Sequence, residues 1–102
     1  TMPVQIRTDV KGISRYLLAD GASNEHLRLH ISEVGPGERS HPPHTHDGHE
    51  IFYILQGQGE VEVADEVFQV NEGEALQVDC QALHGIKNAG QGNMRYAVII
   101  AK

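Results

Sequence analysis

The ten residues HPPHTHDGHE, positions 41 to 50, hold four of the chain's seven histidines and end in a carboxylate. Imidazole nitrogens and carboxylate oxygens are the donors that borderline divalent ions take. Which of His41, His44, His46, His49 and Glu50 converge depends on the backbone path. On an extended chain successive side chains point to opposite sides, so residues of equal parity share a face. His44, His46 and Glu50 are even, as are Phe52 and Ile54 behind them. Two imidazoles and a carboxylate are therefore expected to project toward the apolar interior. His41 and His49 are odd and are expected to point away or to lie in the loop. Gly48 leaves the backbone freedom between His46 and Glu50, so parity constrains the carboxylate less than the two histidines.

Three donors leave a transition metal short of a full shell, and the only histidine C-terminal to the cluster is His84. An antiparallel strand carrying LHGIKN would set it opposite the other three. The set His44, His46, Glu50 and His84 suits one divalent transition metal per chain: Fe, Mn, Ni, Co, Zn or Cu. No thiolate is included, so an open site with room for water or substrate is expected over a closed structural zinc. A histidine-rich stretch can also be a solvated polar loop, and spacing alone leaves both readings open.

The elements that must position these residues are short. VQIRT, ISRYLLA, HLRLHISEV, EIFYILQ, EVEVA, EVFQV, EALQV, LHGIKN and MRYAVIIA read as strands. Between them lie DGASNE, GPGERSHPP, QGQG, ADE, NEG and NAGQGN, which carry turn chemistry. No helical period is sustained, so the pattern predicts an all-β sandwich or closed barrel. EIFYILQ is apolar on both faces, and RYAVIIA has the same character. Such strands are covered on both sides, here by another sheet layer or a partner subunit, and a homodimer is expected.

The 102 residues make one domain, residues 1–102. Eight Lys and Arg against fourteen Asp and Glu give a net charge of −6 with neutral histidine. That balance argues against a nucleic-acid binder, which needs a basic patch. No run of ~18 apolar residues is present for a membrane span, and nothing at the start reads as a secretory signal. The single cysteine, Cys80, has no partner for an internal disulfide and fits a cytoplasmic location. Its neighbours Asp79 and Gln81 supply no cation to activate the thiol.

The chain resembles the cupin superfamily, in particular its small single-domain conserved-barrel members. The first cupin motif, G-x5-H-x-H-x3/4-E-x6-G, is matched by GERSHPPHTHDGHEIFYILQG, with Gly37, His44, His46, Glu50 and Gly57 in place. The gap from Gly37 to His44 is one residue longer than in the motif, and His41 can be the inserted position. The second motif, G-x5-P-x-G-x2-H-x3-N, is matched by GEALQVDCQALHGIKN, with Gly73, His84 and Asn88 in place. Asp79 and Gln81 replace its proline and glycine, residues that shape a turn and bind no metal. The resemblance implies an antiparallel double-stranded β-helix, a jelly-roll barrel, holding a metal on His44, His46, Glu50 and His84. It also implies a small-molecule substrate.

Three functions fit. The favoured one is a metal-dependent enzyme of dioxygenase type, acting on a small carbonyl- or carboxylate-bearing substrate. A metal-dependent isomerase, lyase or cyclase working without O2 would use the same ligands and a proton-transfer group. A non-catalytic, sugar-binding protein is the third. His41 and His49 are candidates to gate the site or shuttle protons, although solvated loop positions suit both as well. Arg28 and His30 share one face of HLRLHISEV, but parity does not say whether that face lines the barrel. Tyr96, Met94 and Phe52 are expected in the core, and Asn88 is expected to secure the turn after the His84 strand.

Overall fold

The structure, a computed structural model, describes residues 4–102. Among them every regular element is a strand: β1 (Val4–Arg7), β2 (Tyr16–Ala19), β3 (Leu27–Val34), β4 (His49–Gln56), β5 (Gln58–Val63), β6 (Glu66–Asn71), β7 (Ala75–Asp79), β8 (His84–Asn88) and β9 (Met94–Ala101). All nine apolar runs become strands. ISRYLLA is shortened at its start, because the Ile13 N–H closes a turn on the Val10 carbonyl at 3.1 Å and the strand begins only at Tyr16.

All pairings are antiparallel. One sheet has the order β3-β9-β4-β7 and a second has β6-β5-β8, while β1 and β2 form a separate hairpin. The two larger sheets enclose the core. Phe52 and Ile54 on β4, Val78 on β7, and Met94, Tyr96 and Val98 on β9 meet Val61, Val70 and Ile86 from the other sheet. These are the even positions of β4, β7 and β9, as alternation requires. Burying each such side chain contributes roughly 1.5–3 kcal/mol. Gly59 on β5 sits where a Cβ would press on Ile54, Met94 and Ile86, all within 3.2 Å, so the two sheets approach closely there.

The odd positions of β4 behave differently. His49, Tyr53 and Leu55 are exposed and Ile51 is half-buried. Of the two covers expected for EIFYILQ, another sheet layer or a partner subunit, the sheet layer is not seen among the described residues, which leave Tyr53 and Leu55 exposed. Leu27, Ile51 and Ile99 line a shallow apolar groove on the same surface. The hairpin also presents apolar side chains, with Val4, Ile6 and Leu17 each about half exposed. The described chain measures 47 × 29 × 21 Å, elongated for its size.

The loop after β1 is tied back to the larger sheet by the Ile31 N–H, which donates to the Lys11 carbonyl at 2.9 Å. Gly12 makes this approach possible: its φ is +74°, and a Cβ there would collide with Ile31. No helix among the described residues is long and apolar enough to cross a membrane.

Candidate metal centre

His44, His46, Glu50 and His84 come together at one end of the space between the sheets, each with a donor atom within 4.8 Å of the other three. They arrive on three separate pieces of chain. His44 forms an isolated antiparallel bridge with His84, the N–H of each donating to the carbonyl of the other at 2.9 and 3.0 Å. Two residues on, the His46 N–H donates to the Cys80 carbonyl at 2.9 Å. Residues 44 to 46 are thus extended but belong to the β8 side of the molecule. Gly48, at φ +97°, then turns the chain into β4, where Glu50 begins the inward row continued by Phe52 and Ile54.

The expectation that one strand carries all three donors is therefore corrected. His44 and His46 share a face by parity, whereas Glu50 reaches the same point after a glycine turn. A side chain at 48 would collide with the Ala101 carbonyl, so only glycine lets the turn pack against β9.

The three imidazoles form a near-equilateral triangle, with ring centroids 4.9, 4.9 and 5.0 Å apart. His84 Nδ1 lies 2.8 Å from the Ala82 carbonyl and His46 Nδ1 lies 2.9 Å from the Asp47 carbonyl. A carbonyl only accepts, so each Nδ1 carries a proton, and in the neutral ring each Nε2 then presents a lone pair. Those two Nε2 atoms are 3.2 Å apart. Glu50 Oε2 is 3.0 Å from His84 Nε2 and Oε1 is 3.6 Å from His46 Nε2. Glu50 is 3% exposed, and its buried Oε2 has no hydrogen-bond donor.

Lone pairs and a carboxylate facing one another at such distances repel unless a cation lies between them. Two donors each about 2.1 Å from one ion stand about 3.0 Å apart at a right angle and about 3.4 Å apart at the tetrahedral angle. The 3.0 and 3.2 Å spacings fall within this range and the 3.6 Å spacing lies just above it. Burial holds the His44 pKa below the ordinary histidine value, with the neighbouring His41 and His84 acting in the same direction. That keeps the imidazole in its neutral, ligating form. The donor set therefore fits a divalent metal, which it could hold.

Beside the quartet opens a cavity of about 180 Å³ lined by His44, His46 and Glu50, with Phe52, Val98 and Ile100 as its apolar wall. Arg28, His30, His41 and Lys102 line it as well. The Arg28–His30 face of β3 thus turns toward the site. Its register sets Arg28 opposite Ile100 and His30 opposite Val98. His41 lies at the mouth, its ring centroid 4.8 Å from that of His44, and does not point away. His49 lies in the outer-face groove and takes no part. Parity continued past the end of β9 held the signal for Lys102, which sequence reasoning missed: it follows Val98 and Ile100 in the inward row that begins with Met94 and Tyr96.

Around the site the sequence departs from the expected turn without loss of order. The Asp79 side chain accepts the Gln81 N–H at 3.0 Å and its carbonyl accepts the Ala82 N–H at 3.1 Å, so an aspartate turn stands in place of proline and glycine. Asn88 closes the far end of β8, donating to the Val34 and Gly92 carbonyls and accepting from the Gly90 N–H. Cys80 is fully buried. Burial first, then Glu50 and Asp79, pushes its thiol pKa up, away from a nucleophile.

Known proteins place this architecture. Residues 30–100 match the family model for the cupin domain. The chain is 29% identical over 99 residues to an uncharacterized protein, MJ1618, of Methanocaldococcus jannaschii, with 83% of this chain and 77% of that protein covered. A Thermotoga maritima structure described as a predicted oxalate decarboxylase superposes with TM-score 0.68 at 22% identity, over 98% of this chain and 92% of the other. A recombinant oxalate oxidase in complex with glycolate gives 0.66 at 20% identity, over 76% of this chain and 42% of the other. With both motifs in place, nine antiparallel strands and residues 30–100 matched, the chain belongs to the cupin domain family.

Proposed function

We propose that this cupin is a metal-dependent enzyme of dioxygenase type that acts on a small carboxylate- or carbonyl-bearing molecule. One observation carries the metal: the Nε2 atoms of His46 and His84 face each other at 3.2 Å beside a buried carboxylate oxygen without a donor. His44, His46, Glu50 and His84 would hold it. When bound, a divalent ion there polarises a carbonyl or carboxylate oxygen and, if it is Fe(II), can also take up O2. Supporting catalysis over a structural role, the quartet opens on a cavity, and a closed structural site would have none.

The chain's own residues prepare the chemistry. The Ala82 and Asp47 carbonyls fix the tautomers of His84 and His46. Phe52, Val98 and Ile100 keep water from one side of the cavity, which strengthens the electrostatic interactions within it. Elemental analysis of untagged protein, made without chelator, tests the reading beside the His44→Ala variant. About one transition metal per chain, lost in the variant, supports it; a metal-free wild type refutes it. Oxygen uptake in the presence of small keto acids and dicarboxylates then separates oxygenase from other chemistry.

A second reading, an isomerase or lyase working without O2, is favoured by His30. This imidazole lines the cavity, and burial, with Lys11 nearby, keeps its pKa below the ordinary value. A neutral imidazole beside the bound molecule is a general base. A redox-inert metal together with His30-dependent turnover would select this reading.

We also propose that a second copy of the chain covers the outer face of the β3-β9-β4-β7 sheet. Tyr53, Leu55 and Leu27 lie exposed there, and the lone β1–β2 hairpin carries exposed Val4, Ile6 and Leu17. Two strands alone are marginally stable in water, so such a ribbon gains from docking on a partner.

A further inference from the structure

We infer that Arg28 and Lys102 recognise a second oxyanion end of the molecule bound beside the quartet, so that the ligand is a small acid charged at both ends. This rests on the metal-site reading above and adds the substrate class to it. The argument begins with where the chain leaves its cations unpaired. Arg7 pairs with Asp9, Arg39 with Glu62, Lys87 with Glu60 and Arg95 with Glu33. Lys11, Arg15, Arg28 and Lys102 have no carboxylate partner among the described residues. Three of these four gather at the site. Arg28 and Lys102 line the small cavity, and Lys11 lines an adjoining cavity of about 460 Å³ that shares Arg28 and His30 with it.

For a chain of net charge −6, this local excess of positive charge runs against the whole. Glu50 is the only carboxylate lining the small cavity, and a divalent ion on the quartet outweighs it. The backbone that carries each cation is held in place. The β3–β9 register sets the Arg28 backbone opposite Ile100, on the face that lines the cavity. The Lys102 N–H donates to the His26 carbonyl at 2.7 Å, and its Cγ lies 3.2 Å from where a Cβ on Gly48 would stand. Lys11 is held by the Ile31 N–H across Gly12.

The guanidinium of Arg28 offers paired donors that match the two oxygens of a carboxylate or of a phosphate. About 180 Å³ is room for roughly six waters, which is below the ~300 Å³ at which drug-sized pockets begin. The cavity therefore suits a compact acid of a few carbons.

The test uses calorimetric titration of the metal-loaded protein with malonate, succinate and phosphoglycolate, and with acetate and butyrate as singly charged controls. The expected result is binding of at least one doubly charged acid about tenfold tighter than the controls. Arg28→Gln should remove most of that preference, with metal content and acetate affinity unchanged. Lys102→Gln should lower it in the same direction. Preference for malonate or succinate identifies a carboxylate end, and preference for phosphoglycolate a phosphate end. Equal affinity for singly and doubly charged acids overturns the inference, as does an Arg28→Gln variant within twofold of wild type. Metal content, measured on the same samples, separates the two failures: one ion per chain without acid preference sinks only this inference, and no ion sinks the metal centre itself.

Discussion

His44 and His84 hold each other by their backbones, each donating its N–H to the other's carbonyl at 2.9 and 3.0 Å. These two positions are forty residues apart along the chain, and this bridge closes the loop that brings the imidazoles into one triangle. His84 itself is fully buried, with its Nδ1 proton on the Ala82 carbonyl. Its Nε2 has no use within the chain except to face the other donors.

Replacing His84 by alanine should therefore remove most bound metal, and elemental analysis of the purified variant checks it. His49→Ala is the matched control from the same histidine-rich stretch. Its side chain lies on the outer face, so its metal content should equal that of wild type. Retention in the first or loss in the second would overturn the assignment of ligands.

Glu50→Gln should act in opposite directions on the two forms of the protein. Without metal, the buried Oε2 lacks a donor, and neutralising it should stabilise the fold by about 1–3 kcal/mol. With metal, the loss of the only charged ligand should weaken binding. Thermal melts of the chelated and metal-loaded variant beside wild type read both effects. A chelated variant that melts lower than wild type would mean that Glu50 is already satisfied by protons on its histidine neighbours.

The aspartate turn at Asp79 predicts a smaller change. Asp79→Ala deletes the bond to the Gln81 N–H and should cost about 1 kcal/mol, read as a lowered urea midpoint. Because the His46 N–H is anchored on the adjacent Cys80 carbonyl, the variant should also bind metal more weakly. Unchanged affinity would show that the turn is dispensable to the site.

Light scattering at micromolar concentration should find twice the chain mass. Ile51→Lys and Ile99→Lys place charges in the apolar groove of the outer sheet face and should return the protein to a single chain with its metal retained. A wild type of one chain mass would refute the pairing of copies.

Much of this architecture was legible in short-range pattern. Apolar alternation located all nine strands, parity placed Phe52 and Ile54 toward the interior, and residue type placed Tyr96 and Met94 in the core, where each is nearly inaccessible. The donors His44 and His46 followed from the same rule because residues 44 to 46 are extended. Glu50 was constrained less by it, since the turn at Gly48 breaks the alternation, and the packing of that glycine against Ala101 shows how the carboxylate still arrives. His41 lies in the loop, one of the two places open to it, and Pro42 and Pro43 there interrupt the strand geometry that parity assumes. The cavity-facing side of β3 was undecidable locally, because a row of Arg28 and His30 lining a cavity reads in sequence like a solvated face. Only its pairing with β9, far along the chain, settles the direction.

Cys80 gives the molecule an internal clock. Its thiol is sealed in the core, while its carbonyl holds the strand segment that carries His46. A thiol reagent can reach the sulfur only when this end of the barrel comes apart, so the labelling rate of one cysteine reports how often the ligand loop opens. An ion that clamps the four donors slows that opening in proportion to its hold on the closed form. The retardation of labelling is then a measure of metal affinity that needs neither colour nor turnover.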